Sequence, residues 1–371
     1  MVCAQGTTRA KSGGTVRRLT MLGLLAASAA YAACASPGMP PGGPVDTEAP
    51  VLLAVAPESG SVRTSPRAVV FRFDEVVSER PAAEPSLTNF FIISPQEGTP
   101  VVDWRRSEIN VRPRGGWRAN TTYTVTMLPG ITDLRGNVSL EGAVVVFSTG
   151  PEIPQTRVSG QAFDWSAGTP AVNALVQAIT PDSVIYSTVA DSSGIFTIAH
   201  LPPGQYLLQA IMDDNRNRAL DPRERFDSTN IVLQDTLFVH LLAFVRDSIP
   251  PRLASVTAQD SVTLRLNFDL PLEPAQPLDL QQFTIIGADS AIMTVREAAA
   301  IAPDTPAVAL PRPVPPRAVT LRVAPLQADA TYQVRVTGIR GLTGVSGPSE
   351  RTLRTPAEFQ SDTAVLDPTV P

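Results

Sequence analysis

A chain of 371 residues has room for two or three domains. With 35 acidic against 30 basic side chains, a net charge of −5, it carries no basic stripe, which argues against a nucleic-acid partner. Two cysteines and two isolated histidines are too few for a zinc site.

The N-terminus places Arg9, Lys11, Arg17 and Arg18 before an apolar run from Leu19 to Ala33, and Cys34 follows. The run is too short and too rich in alanine for a stable span, which needs roughly 20 strongly apolar residues. It reads as the core of an export signal over residues 1–33. Residues 34–45, rich in Pro and Gly, read as a flexible tether. Tyr31-Ala32-Ala33-Cys34 resembles the lipobox of bacterial lipoproteins, with Tyr31 where that motif has an aliphatic residue. The resemblance implies lipid attachment at Cys34 and a membrane as partner through that lipid. Two or more acyl chains hold firmly, since each buried methylene adds about 0.8 kcal/mol. Ordinary cleavage after Ala30-Tyr31-Ala32 is the alternative and leaves Cys34 a free thiol. Arg17-Arg18 matches a twin-arginine signal only weakly. Ala35 stands where an inner-membrane retention signal has Asp, so an outer-membrane lipoprotein is expected, on a face the residues do not specify. Cys3 lies in the signal, so no disulfide is expected in the mature domains. Without residues 1–33 the chain has 26 arginines, no lysine and 35 acids, a formal charge of −9.

Short alternating runs of Val, Thr, Ile and Leu, bounded by many of the 36 prolines and 24 glycines, predict an all-β protein. No segment sustains a helical period. Two stretches, 46–150 and 247–355, read as copies of each other. Asp46-Thr47-Glu48-Ala49-Pro50-Val51 parallels Asp247-Ser248-Ile249-Pro250-Pro251-Arg252. Phe71-Arg72-Phe73-Asp74 parallels Leu266-Asn267-Phe268-Asp269, and Asn89-Phe90-Phe91-Ile92-Ile93 parallels Gln282-Phe283-Thr284-Ile285-Ile286. Thr122-Tyr123-Thr124-Val125 parallels Thr331-Tyr332-Gln333-Val334, and Ile131-Thr132-Asp133-Leu134 parallels Ile339-Arg340-Gly341-Leu342. By the period-two rule Phe73, Phe90, Tyr123, Phe268, Phe283 and Tyr332 should point into two sandwich cores. These motifs resemble the bacterial Ig-like domain of surface-layer proteins, the second copy being more diverged. Its insert Pro311-Arg312-Pro313-Val314-Pro315-Pro316 reads as an extended, stiff loop, with a PxxP ligand as the less common meaning.

Residues 153–246 differ. Asp191-Ser192-Ser193-Gly194-Ile195-Phe196 and Leu201-Pro202-Pro203-Gly204-Gln205-Tyr206 resemble the carboxypeptidase regulatory-like module, which implies a transthyretin-like sandwich. In its turn Gly204 is a residue that tolerates positive φ. The expected architecture is therefore three tandem β-sandwiches, Ig-like, transthyretin-like and Ig-like, with a flexible tail over 356–371. The three-part order, with Cys34 to Pro50 at its start, also resembles Ig-like lipoproteins of Bacteroidetes and related phyla.

One cluster has the spacing of a site. Counting Asp213 as position 1, side-chain oxygens fall at Asp213, Asn215, Asn217, Asp221 and Glu224, and the backbone carbonyl of Ala219 fills position 7. That is the pattern of an EF-hand-type calcium loop, because calcium takes six to eight hard oxygen ligands. Position 6 is Arg218 where such loops have Gly, and Arg216, Arg218, Arg223 and Arg225 crowd the cluster with positive charge. The competing reading is a polar turn whose Asp and Asn side chains bond local backbone N–H groups while the arginines pair with the acids.

No Gly-x-Ser-x-Gly, HExxH or phosphate-loop pattern occurs, and Asp74-Glu75, neighbours on a strand, face opposite ways. His240 is expected in a core or on a sheet face, and His200 at an exposed turn. An enzyme is not expected. The expected role is a non-catalytic envelope scaffold or protein-binding module. Alternatives are a carbohydrate-binding or adhesive surface protein, or an accessory subunit of an outer-membrane complex. For the first, Trp104, Trp117 and Trp165 are stacking candidates, Trp117 in a loop after Gly115-Gly116; the competing reading, which the low aromatic content favours, is that all three are sandwich packing or edge covers. The partner would be an envelope protein or a glycan. Calcium is the one candidate cofactor, and none is required.

Overall fold

The computed structural model describes residues 45–81, 86–303 and 309–359. Residues 45–48 are exposed and belong to no strand. The expected export signal, Cys34 and the tether up to residue 44 lie outside the described residues.

Alternating apolar residues fold into strands, as expected, and the strands assemble into three tandem β-sandwiches. The first contains β1 (Leu52–Ala56), β2 (Val69–Phe73), β3 (Phe91–Ser94), β4 (Val101–Arg105), β5 (Glu108–Arg112), β6 (Thr122–Met127) and β7 (Ala143–Ser148). They form one sheet in the order β1-β2-β5-β4 and another in the order β3-β6-β7. Val69, Phe71 and Phe73 of β2 meet Tyr123, Val125 and Met127 of β6 in one core, because side chains two apart share a face.

The middle sandwich contains β8 (Arg157–Asp164), β9 (Thr169–Pro170), β10 (Leu175–Ile179), β11 (Ile185–Val189), β12 (Ile195–Ala199), β13 (Gly204–Ile211), β14 (Arg225–Leu233) and β15 (Thr236–Val245). Its strands run β11-β10-β13-β14-β15-β8-β12, with β9 beside β8. The sheet closes over a single core that takes Val158 and Phe196 from one end and Val176, Tyr206 and Leu208 from the other. The β15–β8 pair is parallel, while the other pairs in this sheet are antiparallel. Gly204 opens β13 without a positive φ. The left-handed position of that turn belongs to His200, φ 62°, whose Nδ1 lies 2.7 Å from the Pro154 carbonyl, so His200 is half-buried and tied down.

The last sandwich contains β16 (Leu253–Ala258), β17 (Thr263–Phe268), β18 (Phe283–Gly287), β19 (Ile292–Met293), β20 (Val295–Ala300), β21 (Ala318–Val323), β22 (Thr331–Val336) and β23 (Ser349–Arg354). Its sheets run β16-β17-β21-β20 and β19-β18-β22-β23, the order of the first sandwich with β19 added. The six aromatic residues expected in the two cores are all buried. The likeness extends to single atoms. Asp74 Oδ1 accepts from the Val51 N–H at 2.8 Å, and Asp269 Oδ1 from the Arg252 N–H at 2.7 Å. Tyr123 Oη accepts from the Arg118 N–H at 2.8 Å, and Tyr332 Oη from the Gln327 N–H at 2.8 Å. Thr149 Oγ1 accepts the Thr121 N–H and donates to the Arg118 carbonyl, and Thr355 Oγ1 likewise accepts the Ala330 N–H and donates to the Gln327 carbonyl. The tail expected from Pro356 onward begins as part of the fold: the Pro356 carbonyl accepts from the Asp329 N–H, and Phe359 packs on the core. Residues 360–371 lie outside the described residues.

The copies part at Asp133, whose counterpart is Gly341; each pairs with a bridge partner, Val77 or Leu272. Asp133 is 2 % exposed and gathers N–H groups from Arg135, Gly136 and Asn137 at 2.7–2.9 Å. Burial pushes its pKa up, but these donors and the Asn137 amide win and hold it below the usual carboxylate range. A carboxyl depressed on folding stabilises the fold above its unfolded pKa, and that stability is lost as pH falls through the folded pKa. Wild-type protein should therefore lose urea stability between neutral pH and about pH 3 more steeply than Asp133→Asn. Parallel pH profiles would show that the Asp133 charge is not what these donors hold.

Candidate metal centre

Strands β13 and β14 pair up to Ile211↔Phe226, and the Met212 N–H bonds the Arg225 carbonyl at 2.9 Å. The candidate loop is thus a hairpin connection closed at its base, not a helix–loop–helix. Inside it, Asp213 Oδ1 accepts from the Asn217 N–H at 3.0 Å and Oδ2 from the Arg218 N–H at 2.8 Å. Asn215 Oδ1 accepts from the Asn217 N–H at 2.9 Å, and Asn217 Oδ1 from the Ala219 N–H at 2.8 Å. The side-chain oxygens of positions 1, 3 and 5 are therefore turned inward on the loop's own backbone, as the polar-turn reading expects. Both asparagine amides donate to Asp221 Oδ2, Asn215 at 2.6 Å and Asn217 at 2.9 Å. Asp213, Asp221 and Glu224 are not gathered within 4.8 Å of one another, so the three carboxylates do not close around a common point.

The obstacles read from the sequence resolve in particular ways. Arg216 and Arg218 take positive φ, 58° and 61°, so the turn that Gly would supply is made by arginine. Left-handed backbone costs an L-residue about 1–2 kcal/mol, and the bonds from Asp213 hold it there. Two of the four arginines are led away from the loop's interior. Arg225 pairs with Asp164 at 2.6 Å and Asp214 at 3.3 Å. Arg218 reaches the first sandwich, where Nη1 donates to the Phe91 carbonyl at 2.7 Å and Nη2 to the Asn89 carbonyl at 2.9 Å. Burial lowers the Arg218 pKa, opposed by the charge of Asp213. Glu224 is 8 % exposed; its Oε2 accepts from the Asp221 N–H at 2.9 Å, and its Oε1 has no hydrogen-bond partner.

Arg218 belongs to a junction the sequence did not reveal. The edge strand β11 lies against β3, with the Ser187 N–H on Ser94 Oγ at 3.0 Å and the Gln96 N–H on the Ile185 carbonyl at 2.6 Å. A second junction joins the middle and last sandwiches. Trp165, 1 % exposed, packs with Phe163 and Leu242 and against Leu310 and Leu342. Its Nε1 donates to the Pro313 carbonyl at 2.9 Å, and Arg312 lies 4.2 Å over its ring. The Pro-rich insert is thus docked, with Pro315 and Pro316 buried.

The other two tryptophans are also committed to packing. Trp104 Nε1 donates to the Val77 carbonyl at 2.9 Å. Trp117 donates to the Pro66 carbonyl at 2.6 Å and lies edge-on to Tyr123 and Phe147, as the packing reading expects. Its neighbouring glycines suggested a loop tip, but the ring turns back over the core. His240 lies exposed on the sheet face, 5.1 Å from Phe238.

Residues 46–149 match the model of a family described as bacterial Ig-like domain, and the match covers the first sandwich. No curated protein matches the chain. Among solved structures, the chain is similar to surface layer protein SbsC, domains 1–6, at 10% identity over 92% of this chain and 57% of that one, TM-score 0.21. It is also similar to the Bacillus anthracis TIE protein, at 10% identity over 94% and 61%, TM-score 0.16. The chicken CNTN1 FN1–FN3 domains give 11% identity over 83% and 100%, TM-score 0.16. At these scores the structural likenesses carry no argument about function.

Hydrogen bonds to a charged group contribute about 1.5–3 kcal/mol each. Arg218→Ala should therefore destabilise the first junction and speed protease cutting between residues 150 and 157 in the full chain. An unchanged digestion rate would show that β11 and β3 hold the junction without it.

Proposed function

We propose that the chain is a non-catalytic, lipid-anchored protein of the bacterial envelope, whose three sandwiches serve as a scaffold or protein-binding module. The observation that carries this reading is the pair of buried junctions. Arg218 with β11 on one side, and Trp165 with Pro313 on the other, hold the sandwiches against one another by desolvated polar and aromatic contacts. Independent domains on flexible linkers would leave such groups exposed. The bacterial Ig-like match over residues 46–149 supports a bacterial surface setting. The basic and apolar N-terminal segment ending at Cys34, with its Pro/Gly tether, supports the anchor. On this reading the middle sandwich is a carboxypeptidase regulatory-like module used for support, and the anchor lies in the outer membrane. In cell fractionation Cys34→Ala should move the protein from membranes to the soluble fraction or block its maturation. Unchanged membrane association would refute the lipid anchor.

A second reading, binding of a glycan or another surface ligand, has one observation in its favour. Among the described aromatic residues Phe238 alone is exposed, at 60 %, and it shares a register with Ser159 and Thr197 across β15, β8 and β12. Aromatic faces beside hydroxyl groups suit sugar rings. If this reading holds, polysaccharide in a native gel retards the wild type and not Phe238→Ala; the absence of retardation by any glycan would exclude it.

A further inference from the structure

Glu224 sets a problem that the protein alone does not solve. Glu224 is more than nine-tenths buried, no ion pair to it occurs among the described residues, and its Oε1 has no hydrogen-bond partner. Buried charges are paired or coordinate a metal, and an unpaired one is costly. Arg225, the adjacent cation, is already engaged by Asp164 and Asp214.

We propose that residues 213–224 bind one hard divalent cation of the calcium class, with Glu224 Oε1 as a ligand. The remaining ligands would be side-chain oxygens of Asp213, Asn215, Asn217 and Asp221 and the carbonyl of Ala219. This set is all oxygen, carries three negative charges and is held on one hairpin loop, which suits calcium's six to eight ligands better than magnesium's strict octahedron. The inward-turned oxygens of Asp213, Asn215 and Asn217 each keep a lone pair beyond the N–H they accept. The two amide groups that donate to Asp221 Oδ2 stand in for the positive charge a cation would supply there. Because the carboxylates must draw together to share an ion, the affinity should be that of extracellular modules, with Kd on the order of 10⁻⁴–10⁻³ M. Binding has a second consequence. Asp213 also holds the Arg218 backbone, and the Arg218 side chain clasps the first sandwich. A cation on Asp213 therefore stiffens the junction as well as the loop.

The test is calorimetric titration of the chelator-stripped full chain with calcium chloride, with magnesium chloride alongside. The expected result is saturable single-site calcium binding, weakened at least tenfold in Glu224→Gln and unchanged in Asp214→Asn, an acidic neighbour outside the ligand set. Hydrogen exchange on the wild type supplies a readout that needs no variant: calcium should slow exchange in residues 212–224 and in Asn89 to Phe91. No saturable heat up to about 10 mM calcium, well above that range, overturns the site. So does equal weakening in both variants, which would indicate a diffuse acidic surface, or calcium-independent exchange in the loop.

Discussion

A strand at the edge of a sheet leaves a row of N–H and C=O groups without partners, and burying or pairing that row is the constraint on which this assembly turns. The first and last sandwiches share a strand order, so they share an exposed edge. The last covers β18 with the two-residue strand β19. Among the described residues the first has no such strand, and β3 is covered instead by the neighbouring domain, through β11, Ser187 and the Arg218 guanidinium. One repeat is thus completed within itself and the other by its neighbour, which ties the first two sandwiches together.

The second junction uses different physics. Trp165 has a large apolar face and one polar atom, so burying it requires both a hydrophobic lining and an acceptor. Phe163, Leu242, Leu310 and Leu342 provide the lining, and the Pro313 carbonyl is the acceptor. Proline suits that place: it has no N–H to leave unpaired and holds its carbonyl at a restricted angle. Arg312, over the ring, also pairs with Glu273 at 3.0 Å, which fastens the insert to its own domain while it reaches the other. Stability here comes from packed junctions and three modest cores.

The hairpin loop between β13 and β14 lies where these constraints meet. Its backbone is organised by Asp and Asn side chains, and the same organisation projects Arg218 toward the first sandwich. The proposed metal binding and the clasp on the first sandwich would both follow from one local backbone path, in which arginine accepts the left-handed conformation usually left to glycine.

Much of the fold was legible in the residues. Period-two alternation placed Phe73, Phe90 and Tyr123, with Phe268, Phe283 and Tyr332, in their cores, because a half-buried strand must alternate. The spacing from Asp213 to Glu224 marked the candidate loop, because short oxygen-bearing side chains on alternate residues can face one point. The contacts that local pattern leaves open join distant segments. Trp117 follows two glycines, and packing wins over exposure because Pro66, 51 residues earlier, offers it an acceptor. His200, expected at an exposed turn, is half-buried with its ring on the Pro154 carbonyl. Local pattern therefore determined which residues form strands, which faces they bury and where oxygen-bearing side chains cluster. The tertiary structure alone decided which edges are covered, where Arg218 and Trp165 point, and that Glu224 Oε1 is left without a partner, because these follow from the docking of surfaces far apart in the chain.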